Sequence, residues 1–298
     1  MIVLDRPPYT PFTDPRMARP PGLMPLEPAD WFVVHADFAG QMAYREKLLA
    51  GRREVVLAEL PEGRGAASEL LEAVVESVAM MPGYRRGDGA VTRPDGGVMA
   101  IDRDDPLATA GRLVAHDLCL LLPDPEAGEY RLVGAVLCFP SRWLLAEKLG
   151  RPLAAIHDPV PDYDGDLARR VNRVFEALRV GRPLWRVNWL VHGTAELHLP
   201  LGIDEAFVAP DDPARGLYLR TERQTLTRLP ESGAVMFGIK TSVTPIDGLT
   251  PDEASALRAA MAGQDAETAA YKSGRDDYDA ALNRLAEIAC QPGAESAC

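Results

Sequence analysis

The chain has 298 residues, of which 47% are hydrophobic, and its formal net charge is −12 with a calculated isoelectric point near 5.0. This length and apolar content suffice for a hydrophobic core, so we expect a globular protein. The acidic balance argues against a nucleic-acid ligand, because phosphates require clustered Lys and Arg, and it disfavours anionic membranes for the same reason.

The amino-terminal sequence M-I-V-L-D-R-P-P is interrupted by charge and proline before an apolar signal region forms. The longest apolar runs, such as residues 132–139, have the length of strands. We therefore expect a cytoplasmic protein with no signal peptide and no membrane span. The four cysteines show no C-x-x-C spacing, so they predict neither a zinc nor an iron–sulfur site, and Cys119 and Cys138 are expected in the core.

In chain order, frequent prolines make residues 1–30 an extended arm, and residues 31–298 are expected to form a single domain with helical extensions. Apolar residues at helical spacing predict a helix over 68–78. Two strands, over 113–122 and 130–139, are predicted to form a hairpin, because the turn-forming residues P-D-P-E-A-G-E lie between them.

The second half of the chain alternates between helix and strand patterns. Its predicted elements are helices over 143–149 and 167–178 and strands over 184–192, 217–228 and 234–244. One further helix is predicted to begin at Thr250, and another to span 276–289. This order predicts an α+β fold. It matches a PAS-like antiparallel sheet with helices covering one face and with helical extensions at both ends of the chain.

The segment 138–163, C-F-P-S-R-W-L-L-A-E-K-L-G-R-P-L-A-A-I-H-D-P-V-P-D-Y, contains one histidine, His157, just beyond a predicted short helix. Pro159 and Pro161 fix their own φ and restrict the preceding residues, so the loop after His157 is expected to be stiff. A fixed imidazole suits a metal or haem site, whereas a single histidine is more often a surface residue or a helix cap. The residues alone leave both interpretations open.

Two predicted strands carry polar faces. Over 184–192, alternation places Arg186 and Asn188 on the face opposite Trp185, and that polar face either contacts solvent or lines a pocket. In T-E-R-Q-T (221–225), the charges either face water or form a paired cluster at a site. Glu222 is the candidate to bind an ammonium group or accept its proton, and the planar guanidinium of Arg223 suits a carboxylate.

The other histidines are expected to be structural or surface residues, because none has a second histidine at helical spacing that would make a metal-binding pair: His35, His116, His192 and His198. The sequence contains no G-x-S-x-G, no P-loop and no G-x-G-x-x-G after a strand. Hydrolase, nucleotide triphosphatase and dinucleotide-binding functions therefore lack support.

Several stretches look like parts of one family. Besides 138–163, they are W-F-V-V-H-A-D-F-A-G-Q-M-A-Y-R-E-K-L-L (31–49), S-E-L-L-E-A-V-V-E-S-V (68–78), R-V-N-W (186–189), L-R-T-E-R-Q-T-L-T-R-L-P (219–230) and V-M-F-G-I-K-T (235–241). Over about residues 30–275 the chain resembles the haem-dependent oxidative N-demethylase alpha-subunit family. One departure is His116-Asp117, which stands where an acidic pair is expected.

The resemblance implies a haem b group with His157 as axial ligand. Arg186 and Arg223 would pair with haem propionates, Asn188 would donate a hydrogen bond to bound oxygen, and Glu222 would position the amine. In the PAS-like fold that this implies, the cofactor lies between the helices and the sheet.

The expected function is haem-dependent oxidative N-demethylation of a small methylated amine such as dimethylamine, with dioxygen consumed and formaldehyde released. Since no dinucleotide motif is present, the electrons would come from a separate flavin or iron–sulfur reductase, and a folate-dependent subunit is a further expected partner. The alternatives are a haem-binding PAS-type sensor or carrier without turnover, and a divergent member that binds another small ligand.

Overall fold

The computed structural model describes residues 2–18, 22–157, 165–202, 216–273 and 275–291. Its centre is an antiparallel sheet of seven strands in the order β1-β8-β9-β10-β6-β7-β2, and β3, β4 and β5 form a separate small sheet. The strands are β1 (Met24–Pro25), β2 (Leu57–Glu59), β3 (Arg85–Gly87), β4 (Ala90–Thr92), β5 (Val98–Ala100), β6 (Asp117–Asp124), β7 (Glu129–Val136), β8 (Leu184–His192), β9 (Tyr218–Arg228) and β10 (Val235–Pro245).

Helices account for most of the remaining described chain. They are α1 (Pro15–Ala18), α2 (Phe38–Gly51), α3 (Arg53–Val56), α4 (Arg64–Ala79), α5 (Pro106–Leu113), α6 (Leu145–Lys148), α7 (Leu153–His157), α8 (Gly165–Ala177), α9 (Pro251–Ala262), α10 (Ala266–Ser273) and α11 (Arg275–Ala289). The mixture of helices with an antiparallel sheet confirms the predicted α+β class.

Helices pack on both faces of the sheet, so the expectation that they cover one face is wrong. One core cluster joins α2, α4 and α5 to Leu118 and Leu120 of β6. A second cluster joins residues of α6, α7 and α8 to Cys119 and Leu121 of the same strand. Successive side chains of a strand point to opposite faces, so the apolar run of β6 supplies both clusters at once.

The hairpin is confirmed with shifted boundaries, since its strands are Asp117–Asp124 and Glu129–Val136. Strand β6 begins at Asp117 and not at Leu113, which is the last residue of helix α5. Within that helix, a Cβ added at Gly111 would lie 2.7 Å from Cγ2 of Val136. Glycine therefore allows helix α5 to approach strand β7 closely.

The three strands β8, β9 and β10 agree with the predicted ranges to within one residue at each end. Their register pairs Asn188 with Glu222 and Arg186 with Gln224, and it pairs Gln224 with Ile239. Because paired residues of neighbouring strands lie on the same face, these side chains form a continuous surface across the sheet.

The carboxyl-terminal helices close one end of the sheet. Helix α9 begins with the predicted capping box, in which the Thr250 side chain accepts from the backbone N–H of Glu253 and the Glu253 side chain accepts from the backbone N–H of Thr250. Helices α9 and α11 bury their apolar faces against Val191 of β8 and Leu219 of β9. At the other end of the chain, β1 lies in the predicted amino-terminal arm and pairs with β8.

Candidate functional site

A cavity of about 260 Å³ lies between the sheet and the segment that contains α6 and α7. This volume is near the lower end of the roughly 300–1,000 Å³ that small-molecule sites occupy. Its floor includes apolar side chains from strands β6, β7, β8 and β10: Cys119, Leu121, Leu132, Leu190, Phe237 and Ile239. Its wall is formed by residues of the segment 141–157.

Four of the five predicted site residues line this cavity, namely His157, Arg186, Asn188 and Glu222. The strand register explains three of them, because Arg186 and Asn188 alternate onto the same face of β8 and Glu222 lies directly opposite Asn188 on β9. Of the two alternatives for the polar faces, the structure supports the pocket, since these side chains line the cavity.

His157 is the last residue of helix α7 and not a loop residue, because an additional one-turn helix precedes it. The prolines that follow it, Pro159 and Pro161, lie outside the described residues. The Nδ1 atom of His157 lies 2.8 Å from the carbonyl oxygen of Leu153 and donates to it. Burial lowers the pKa of His157 to about 4, with nearby Lys148 and Arg186 acting in the same direction.

The ring of His157 is therefore neutral near pH 7, with its proton on Nδ1 and its lone pair on Nε2. Metal-ligating histidines commonly donate from one ring nitrogen to a backbone carbonyl in this way. Cys119 is the other soft donor in the cavity, and burial raises the pKa of its thiol. It therefore remains protonated and is a poor competitor as a ligand.

Hydrogen bonds join the polar side chains of β8 and β9 on the cavity floor. The Arg186 Nε donates to Oε1 of Gln224 at 2.7 Å, which leaves the Gln224 amide nitrogen to donate to Oε2 of Glu222 at 3.1 Å. The Asn188 amide is 3.4 Å from the same oxygen, and Arg220 Nε is 3.5 Å from the other carboxylate oxygen. Glu222, which is 8% exposed, thus belongs to a paired cluster and does not face water.

Arg223 is not brought together with the other four. Strand alternation points it to the opposite face of the sheet, where it donates to the backbone carbonyls of Asp30 and Trp31. Its guanidinium carbon lies 5.3 Å from the centre of the Trp185 ring, a cation–π contact. These contacts are structural, and this geometry does not place Arg223 against a ligand in the cavity.

Buried polar groups hold the backbone that leads into the cavity wall. The carboxylate of Asp117 accepts from the backbone N–H groups of Cys138 (2.8 Å) and Phe139 (2.9 Å), and it pairs with Arg45 at 2.6 Å. Arg220 donates to the carbonyl of Phe139 at 2.7 Å. Asp117 is the second residue of the pair at which the sequence departs from the expected acidic pattern, and its contacts give it a structural role.

Sequence reasoning missed several residues of the wall. Arg142 lines the cavity with φ near 59°, and it is the one non-glycine residue of the described chain in the left-handed region. Its Nη2 lies 2.8 Å from Nδ1 of His192, so the guanidinium donates and His192 is neutral. Lys148 also lines the cavity. Neither belongs to a periodic pattern, so the sequence offered no signal for them.

Among the described residues, no cluster of three His, Cys, Asp or Glu side chains has the arrangement of a metal site. A single imidazole is not sufficient to hold a metal ion by itself. It could supply one ligand to a metal that an organic group already holds. In the part of the chain that the structure describes, no helix combines the length and apolarity needed to cross a bilayer.

One protein-family model matches most of the chain. The model of a family described as "Haem-dependent oxidative N-demethylase, alpha subunit-like" matches residues 22–282, which include the whole central sheet and every described residue of the cavity.

Proposed function

The chain belongs to the haem-dependent oxidative N-demethylase alpha subunit-like family, and from this membership we propose that it binds haem b in the cavity and oxidatively demethylates a small, dimethylamine-like amine. In this proposal His157 is the axial ligand of the iron, and Arg186 pairs with a propionate. The arrangement of His157 carries the proposal, because its protonated Nδ1 is fixed on the Leu153 carbonyl and its lone pair is on Nε2.

The other residues of the cavity fit a haem group in chemical character. A porphyrin requires apolar walls, which Leu121, Leu132, Phe237 and their neighbours supply, and its carboxylates require cations at the rim. When bound, the haem supplies the means of activating dioxygen, and the protein provides orientation and electrostatics. The strand order supports a PAS-like arrangement, in which the cofactor lies between sheet and helices.

Glu222 is proposed to hold the amine. Its carboxylate accepts from Gln224 and Asn188 and pairs with Arg220, which orients it, and its remaining lone pairs would accept from the N–H groups of an ammonium ion. Release of the amine proton to Glu222 would expose the nitrogen lone pair. Asn188, which lies directly opposite Glu222 on β8, is proposed to donate a hydrogen bond to bound oxygen.

The overall reaction consumes dioxygen, two electrons and two protons for each methyl group, and it yields formaldehyde, water and the shorter amine. The electrons require a donor protein, because no dinucleotide-binding motif occurs in the sequence. The words "alpha subunit" in the family's description hint at a complex of several subunits. We propose a flavin or iron–sulfur reductase as one partner and a folate-dependent, formaldehyde-capturing subunit as another, with all components cytoplasmic.

The test is haem reconstitution of the purified wild type, His157→Ala and His35→Ala, followed by absorption spectra before and after addition of dimethylamine. His35 is a half-buried histidine outside the cavity, so it is a matched control. We expect the Soret band to be lost or shifted only in His157→Ala, and formaldehyde to form when the wild type receives amine, dioxygen and two reducing equivalents for each methyl group. No haem uptake by the wild type would overturn the proposal. Stable haem binding without an amine response or formaldehyde would favour the sensor or carrier function instead.

A further inference from the structure

Lys148 is a half-buried ammonium group on the wall of the cavity. It is the last residue of the one-turn helix α6, and its side chain borders the same space as His157 and Arg186. Lysine is among the residues that are least often buried without a charged partner. Its position therefore requires an explanation.

The contacts of Lys148 within the described chain are both with uncharged groups. Its Nζ donates to the backbone carbonyl of Ile156 at 2.6 Å and lies 5.2 Å from the centre of the Trp143 ring. No described carboxylate lies within ion-pair distance of this Nζ, in contrast to Lys240, which pairs with Asp37 on the other side of the sheet. Lys148 thus brings a positive charge to the cavity that its own side-chain contacts do not neutralise.

The partial burial of Lys148 affects its own pKa. Burial lowers the pKa of Lys148 to about 8, and the neighbouring Glu147 offsets only part of that shift. A buried cation of this kind is stabilised when an anion occupies the adjacent space. A second cation directly beside Nζ would be repelled, so the group that complements Lys148 at this position is an anion.

The hydrogen bond to Ile156 places this charge beside the proposed iron ligand. Ile156 immediately precedes His157, and the lysine charge is close enough to lower the pKa of that histidine. The anion that lies next to His157 in the proposed function is the haem, which carries two carboxylates. We propose that Lys148 forms an ion pair with one carboxylate of the bound haem while it holds the carbonyl of Ile156.

This inference rests on the proposed function and adds a residue that discriminates among porphyrins by charge. Lys148 has two roles in it, since it pairs with the cofactor and also orients the helix that ends at His157. A structural role alone would affect all porphyrins equally. The pairing affects only those with free carboxylates, so the two roles are separable by experiment.

The experiment is a cycle of two proteins and two ligands, namely wild type and Lys148→Gln, each titrated with haem and with haem dimethyl ester. Glutamine retains an N–H donor for the Ile156 carbonyl but carries no charge. We expect Lys148→Gln to bind haem about tenfold more weakly, as expected when a partly buried ion pair is lost. Binding of the ester should be equal in the two proteins. Lys47→Met, a change at an exposed lysine of α2, serves as the control and should alter neither affinity.

Equal loss of affinity for haem and for its ester in Lys148→Gln would overturn the pairing and leave Lys148 with an orienting role alone. No loss for either ligand would overturn both roles. Lys148→Arg keeps the charge and should keep the preference of the wild type for haem over the ester, which provides a second test if the glutamine variant folds poorly. Failure of the wild type to bind either porphyrin would instead remove the proposed function itself.

Discussion

The two faces of the central sheet both bury charge, but they do so in different ways. On strand β9, Glu222 points to the cavity face and Arg223, its direct neighbour, points to the other, which we call the sealed face and define by Arg223, Lys240 and His116. On the sealed face, Lys240 forms a 2.9 Å ion pair with Asp37, and both side chains are 0% exposed. On this face the charged side chains therefore have protein groups as their partners.

On the cavity face the charges border a space that a ligand can enter. Glu222 accepts from Gln224, and Arg186 donates to Gln224, so the side chains are oriented before anything binds. The difference teaches that burial alone does not mark a functional charge. What distinguishes the cavity face is that its hydrogen-bonded groups also line an open volume, and substitutions on the two faces should therefore fail in different assays.

The largest expected effect is on the sealed face. Asp37→Ala removes the partner of a fully buried Lys240, so we expect the free energy of unfolding to fall by about 3–5 kcal/mol, since an uncompensated buried charge remains. Urea denaturation followed by circular dichroism measures this. The double variant Asp37→Ala/Lys240→Met should recover much of the loss. A single variant as stable as the wild type would contradict the view that this face is structural.

The second prediction compares two arginines that lie on opposite faces. Arg186→Gln should weaken haem binding by about tenfold, whereas Arg223→Gln should leave haem affinity unchanged. Arg223→Gln should instead lower the free energy of unfolding by about 1–3 kcal/mol, because its bonds to the Asp30 and Trp31 carbonyls are lost. Haem titration and urea denaturation of both variants give the comparison. Weakened haem binding in Arg223→Gln would contradict the assignment of Arg223 to a purely structural role on the sealed face.

A third prediction concerns Glu222, the acid of the cavity face. Glu222→Gln preserves the shape and removes the charge, so we expect the Kd of the haem-loaded protein for dimethylamine to rise about tenfold while the Soret band stays in place. The measurement is an amine titration of the haem spectrum. An unchanged Kd would show that Glu222 is only a structural partner of Arg220.

The smallest expected effect concerns His116 on the sealed face. Burial, reinforced by Arg223 and Lys240, holds the pKa of His116 well below 6.5. Below pH 6.5 the unfolded chain therefore binds a proton that the folded protein does not, so stability falls as the pH falls. Neither ring nitrogen of His116 has a hydrogen-bond partner among the described residues.

His116→Leu should therefore be as stable as the wild type at pH 7, or more stable by about 1 kcal/mol, and it should lose less stability between pH 6.5 and 5. Thermal unfolding of both proteins across this range tests the sign. The buried His192 titrates in both proteins, so its effect cancels in the comparison. A steeper acid slope in the leucine variant would refute the assignment.

The sequence predicted the parts that depend on local patterns. Alternation identified the shared face of Arg186 and Asn188, and the three strands from residue 184 to 245 follow it closely. The same alternation places Glu222 and Arg223 on opposite faces of the sheet. The clustering of charged residues had suggested that both belong to one site, and the structure follows the alternation. Local side-chain direction was the better guide there.

Other parts depend on contacts between distant residues. The sequence patterns did not predict helix α5, whose close approach to Val136 at Gly111 is a contact between residues distant in the chain. Lys148 gave no signal because its partners, the Ile156 carbonyl and the Trp143 ring, meet it only when α6 and α7 pack together. His157 was recognised from its segment, but its hydrogen bond to Leu153 required the extra helical turn.

The shortness of α6 and α7 has a consequence for the local stability of the cavity wall. Helices of four and five residues are unstable in isolation, because the conformational entropy lost in forming the first turn exceeds the stabilisation from its hydrogen bonds. Helices α6 and α7 therefore depend on their packing against the sheet and against each other. Local opening should therefore be easiest in the haem-free protein, and the backbone amides of residues 153–157 should exchange with deuterium faster than those of β9. If the proposed function holds, bound haem should slow that exchange, because its ligand His157 is the last residue of this turn.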